Sequence, residues 1–206
     1  ELDVTNVASV HVAKATGRMR FASIAGAVSG ELGPGEVDIE RAGSVAIETQ
    51  RCQVRIANVA GTLEAEARRG DFRARGIGGA TTLESHDIEG ELEDLGGPLK
   101  LTGSGGEVRV RGARGPIDAQ TERTTLKLTL DTPVAVSAVT EHDAIELTLP
   151  AGGILLEATA TGGDIRVPDG LITVKREGDD ATAKGPVRGG GPRVVLRTSR
   201  GDITVR

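Results

Sequence analysis

Three glutamates in one phase of the chain are the residues best placed to do chemistry. Glu48, Glu66 and Glu84 recur at an interval of 18 residues, and the same interval then brings Thr102 and Gln120. If successive 18-residue segments lie side by side, the carboxylates stand about 5 Å apart. Like charges at that spacing repel, and a divalent cation or a basic partner relieves the repulsion. Arg51, Arg68 and Arg69 follow in the flanking corner and are expected to offset part of the charge. Glu48, Glu66 and Glu84 are therefore the candidate strip for a cation or a basic partner.

The other reactive residue types point to no reaction. His11, His86 and His142 share no phase and are expected to be outward and solvated, without a common metal. Cys52 is the single cysteine, which excludes a disulfide framework and any multi-cysteine metal site. With 30 acidic residues, carboxylate pairs of the glycosidase kind could be drawn anywhere and carry no signal. No nucleophile elbow, zinc-binding histidine pair or phosphate loop is present. The glycine-rich stretches at 103–106 and 189–191 do not open helices that could hold a phosphate. A net charge of −5 and the absence of Trp and Tyr remove the basic footprint and the stacking platforms of nucleic-acid binders. No catalytic residue and no cofactor are expected.

The elements that would carry the strip follow from a repeat. An alternating string recurs: apolar, x, apolar, x, small, x, x, Gly, acidic, apolar, x, apolar. It runs from Leu63 through Gly70 and Asp71 to Ala74, from Leu99 through Gly106 and Glu107 to Val110, and from Leu156 through Gly163 and Asp164 to Val167. Copies at 45–56, 81–92 and 117–128 carry Cys52, Ile88 and Thr124 in the glycine slot. Gly43, Gly61, Gly79, Gly97 and Gly115, each 18 apart, fix the period. Gly26 and Ala8 extend it backwards, to make seven repeats over about residues 2–130.

Alternation with period 2 means strands with one buried face. Short strands joined by glycine corners every 18 residues predict an all-β, single-stranded parallel β-helix (a β-solenoid) with about 18 residues per turn. Seven turns stacked at about 4.8 Å make a rod on the order of 34 Å long. Glycine is expected at the corners because tight turns there often need positive φ. Its interior is narrow, which explains 30 glycines against two phenylalanines.

The chain reads as one domain, 1–206, regular over about 2–130 and irregular over about 131–206. In the irregular part the repeat resumes at 154–167 and at 193–206. Between them an excursion holds a hairpin, its first strand at 171–174 and its turn at 177–180. No apolar run reaches the roughly 18 residues of a membrane span. The chain opens at Glu1 rather than Met, as after removal of an upstream targeting segment or after trimming, so its start says nothing about compartment.

The remaining outward positions form columns of charge. Arg20, Asp38, Arg55, Arg73, Glu91, Arg109 and Lys127 share one phase, and Arg75, Glu93 and Arg111 share the next. Interrupted by acids, they are expected to pair across turns as a salt ladder.

The Gly-Asp-Ile-x-Val strings at Gly163 and Gly201, together with the segment from Leu147 to Pro150, resemble a large bacterial family of adhesin-type β-strand-repeat domains. The likeness covers nearly the whole chain. It implies a right-handed β-helix and a place in the cell envelope, periplasmic or extracellular, but no catalytic residues. Bactofilins, cytoskeletal β-helices that polymerise end to end, have a similar rung length.

The function expected on these grounds is a non-catalytic scaffold or adhesin-like binding module for a protein or surface polymer. The first alternative is a self-assembling structural protein, motivated by a C-terminal strand at 203–206 that ends without an evident cap. The second is a polysaccharide-active β-helix enzyme.

Overall fold

A computed structural model describes all residues, Glu1–Arg206. The chain is all-β without a helix, 73% strand, and coils into a solenoid of about eight turns with roughly 18 residues per turn. No helix is long and apolar enough to cross a membrane. The strands are β1 (Leu2–Thr5), β2 (Val10–Val59), β3 (Leu63–Ile77), β4 (Thr81–Leu95) and β5 (Leu99–Arg111). They continue as β6 (Ile117–Glu122), β7 (Thr125–Thr129), β8 (Val136–Glu141), β9 (Ile145–Thr148), β10 (Ile154–Thr161) and β11 (Ile165–Arg166). The last are β12 (Val174–Glu177), β13 (Asp180–Val187), β14 (Arg193–Ser199) and β15 (Ile203–Val205).

Parallel pairing follows the predicted interval. Val45 faces Leu63, Leu63 faces Thr81, Thr81 faces Leu99 and Leu99 faces Ile117. The inward residues form one continuous core of 51 buried side chains reaching from Met19 to Val205. Both phenylalanines lie inside it, Phe21 at 0% and Phe72 at 1% exposure. The narrow tube accommodates Phe72 because its ladder neighbours are Val54 and Gly90.

The corner glycines act differently from the expectation. Gly43, Gly61, Gly79, Gly97 and Gly115 are not left-handed. They are small because the turns touch there: a Cβ on Gly61 would sit 2.6 Å from the Gly43 carbonyl oxygen, and one on Gly79 would sit 2.7 Å from that of Gly61. Left-handed backbone falls elsewhere, in two other stacks: Arg51, Arg69, Asp87, Gly105, Arg123 and His142 in one, and Asn58, Gly76, Asp94 and Gly112 in the other. Gly70, at φ 129, combines both needs, since a Cβ would drive into the Cys52 carbonyl of the turn before.

Beyond Leu130 the solenoid does not lose its register. It continues with one extra residue, so that Ile117 faces Val136 and Leu126 faces Ile145. What changes is the order of the turns. The sheet runs β6, β8, β14, β10, β13, β12, and β15 lies between β9 and β11. The last turn of the chain is thus inserted between two earlier ones. This corrects the expectation of an open C-terminal edge: Ile203 and Val205 are buried, with β9 on one side and β11 on the other. The end of the stack is instead covered by an antiparallel hairpin, β12–β13, in which Glu177 faces Asp180. Its first strand begins at Val174, three residues later than predicted, while Leu171 and Ile172 pack half-buried against the core.

Candidate functional site

The ladder places Glu48, Glu66 and Glu84 directly side by side, followed by Thr102 and Gln120. Each sits between two inward residues of its strand (Ile47 and Thr49, Ala65 and Ala67, Leu83 and Ser85), so the pleat must turn it outward. They line a shallow groove with Glu31, Glu64 and His11. Unit charges one turn apart repel by about 1 kcal/mol in bulk water and more where solvent is partly excluded.

The compensation differs from the expectation. Arg68 does pair with Glu66, at 2.5 Å. Arg51 and Arg69 occupy the left-handed corner and line a different hollow with Cys52, Gly70 and Asp71, making no ion pair. Glu31, Glu48 and Glu64 have no cation within ion-pair distance. The face keeps uncompensated negative charge over successive turns.

His86 belongs to the strip, which the isolated positions of the histidines did not suggest. It stands two residues after Glu84 on the same outward face and beside Arg68 of the neighbouring turn. Nε2 lies 3.2 Å from Glu84 Oε1, and Nδ1 lies 3.3 Å from Ser104 Oγ. One ligand atom each from Glu66, Glu84 and His86 falls within 4.8 Å of the others. Such a set of two carboxylates and an imidazole suits a divalent transition metal, with the second ring nitrogen held by a hydroxyl. The signal in the sequence was the alternation Glu84-x-His86, which puts both on one face. His11, in the same groove, bonds to Ser29 at 3.0 Å, and His142 bonds to Arg200 at 2.7 Å, away from the strip.

The opposite charged face behaves as a ladder. Arg55 pairs with Asp38 and Arg73 with Glu91, both at 3.8 Å, and Lys127 pairs with Glu107 at 2.8 Å. Arg111 reaches both Glu91 and Glu93, and Arg109 also pairs with Glu107. Arg75 faces Glu93 in register but bonds to Asp94 at 3.2 Å. Exposed pairs of this kind are worth about 0–1 kcal/mol each. Their consequence is that this face balances its signs, although Arg20 of the expected ladder, Asp71 and Glu89 make no ion pair.

Two carboxyls in the C-terminal turns are held below their ordinary pKa. For Glu157 the main cause is the hydrogen bond from Arg193 at 2.6 Å, with Lys184 and Arg197 adding to it. For Asp164 it is the bond from Arg176 at 2.7 Å, helped by the Ile165 amide. Burial pushes the Cys52 thiol up, and its Sγ donates to the Gly33 carbonyl at 2.6 Å. That thiol is a core group rather than a nucleophile. Compared with known proteins, the chain matches no protein-family model, no curated protein and no solved structure.

Proposed function

We propose that the protein is a non-catalytic solenoid scaffold whose acidic strip binds a cationic partner, a basic protein segment or a cationic surface polymer. One observation carries this reading. On the ladder face cations and acids alternate and most pair across turns, whereas Glu31, Glu48 and Glu64 stand unpaired beside Glu66 and Glu84 in one groove. A face that retains like charge loses stability to self-repulsion and regains it when a partner brings the opposite sign. An extended chain laid along the rod would meet a carboxylate at each turn. The resemblance to envelope β-strand-repeat domains supports a place in the cell envelope.

A second reading concerns the same strip: a divalent transition cation held by Glu66, Glu84 and His86, favoured by the convergence of their ligand atoms within 4.8 Å. Calorimetry separates the two. With an oligolysine peptide, the first reading predicts binding that weakens as salt is raised and is lost in Glu48→Gln/Glu66→Gln/Glu84→Gln. If the triple variant binds as the wild type does, the strip is not the site. With zinc, the second reading predicts heat that disappears in His86→Ala, whereas unchanged heat in that variant overturns it.

A further inference from the structure

The inserted last turn divides the molecule at a definite place. β8 and β9 close the body, which contains β1 to β9, and their free edges are covered only by β14 and β15. No ladder joins β10 or β11 to the body. β10 pairs with β13 and β14, and β11 pairs with β15. Residues 154–206 therefore form a unit with its own ladders, whose leading surface is its last turn. The covalent link is the segment 149–153, which contains Pro150, Gly152 and Gly153 and bypasses the inserted turn. Side-chain contacts across the junction come mainly from the same last turn. Thr198 bonds to the Asp143 carbonyl at 2.8 Å, and Arg200 bonds to His142. Arg188 on the Pro150 carbonyl ties the link itself.

We infer that this C-terminal unit is a plug that can leave its own body and close the β8–β9 edge of a second copy, giving a domain-swapped dimer. Three features support the exchange. Separation breaks the β8–β14 and β9–β15 ladders, the bonds of Thr198, Arg200 and Arg206 to Asp143, His142 and Glu146, and the adjoining core contacts, and leaves the plug's other ladders intact. The second copy offers an identical edge, so no new complementarity is needed. The linker, five residues extending at most about 17 Å, contains two glycines that can redirect the chain. A short tether gives the plug an effective concentration in the millimolar range. The monomer thus prevails in dilute solution, and exchange becomes populated when chains refold together at millimolar concentration.

The test uses the full chain. Wild type, and a variant lacking Ala151 and Gly152, are unfolded, refolded at millimolar concentration, diluted and sized by light scattering. The expected result is a dimer, still present when sized promptly after dilution because its return to monomer requires both junction ladders to open again, and more abundant when the linker is shortened. Only monomer in both overturns the inference. The contact is then mapped with single substitutions at a pair that faces across the junction, Ser137 and Val195. Cys52, buried at 4% exposure, stays out of the reaction. Ser137→Cys and Val195→Cys chains refolded together should cross-link between chains on oxidation, well above a control of Ser137→Cys with Lys175→Cys. The double variant Ser137→Cys/Val195→Cys, closing within one chain in dilute solution, verifies the pair's geometry. A dimer that cross-links no better than the control associates by another surface and also overturns the inference.

Discussion

At the scale of single residues, the molecule separates two demands that a sequence reader merges. Glycine at the 18-residue interval announces close corners, but only coordinates show whether a corner needs room or handedness. Gly79 needs room: its φ is ordinary, yet a Cβ would meet the Gly61 carbonyl group at 2.7–2.8 Å. Backbone cannot move aside as a flexible side chain would. Gly79→Ala is therefore expected to destabilise by about 1–3 kcal/mol through overpacking, read as a lowered midpoint in urea unfolding. An unchanged midpoint would mean that the turns are less tightly stacked than described. Left-handed corners are tolerated by Arg51, Arg69 and Asp87, so no composition rule would have found them. The same limit applies to His86. Its alternation with Glu84 was visible, but its approach to Glu66 depends on side-chain direction across two turns.

At the scale of elements, the parallel turns were legible because one rule, inward apolar and outward polar, recurs from Val45 to Leu128, with small hydroxyl residues such as Thr49, Thr81, Ser85 and Thr121 at some inward positions. Where the rule alone decides, as at Leu101 or Ala119, structure and sequence agree. It could not give the order of the last turns. The strings at Leu156 and Val194 are equivalent in pattern, and nothing in either says which lies nearer to β8. That is decided by packing: Gly201 sits against Asp143, Gly163 against Gly201, and the hairpin covers what remains. These turns also have their own electrostatics. A carboxyl whose folded pKa is lowered contributes stability above its unfolded value, about 4. That contribution falls away as the pH drops through the lowered folded value. Glu157 and Asp164 tie β10 to β14 and the β11 segment to β12 through Arg193 and Arg176. Acidification from neutral to below about pH 4 should therefore loosen residues 154–206 before the body. Hydrogen exchange would show faster exchange in β10 to β13 than in β3 to β5; uniform loosening would contradict this.

At the scale of the whole molecule, one rod carries two faces of different character. On the ladder face, Arg55, Arg73, Arg111 and Lys127 find carboxylates on adjoining turns, and the sequence columns already implied that outcome. On the other face the acids of β2, β3 and β4 outnumber their cations, because Arg51 and Arg69 turn away at the corner. The function proposed above would act at this scale, as recognition of charge by a regularly spaced row, and the row runs out where Thr102, Gln120 and Val139 succeed Glu84. A cationic chain should therefore bind along the N-terminal half of this face. The most direct measurement is residue-resolved NMR of the full chain titrated with oligolysine. Shifts are expected only at the outward positions of 45–50, 63–68 and 81–86, saturating together. Shifts centred on the Arg73–Lys127 ladder, or no shifts at low salt, would contradict this.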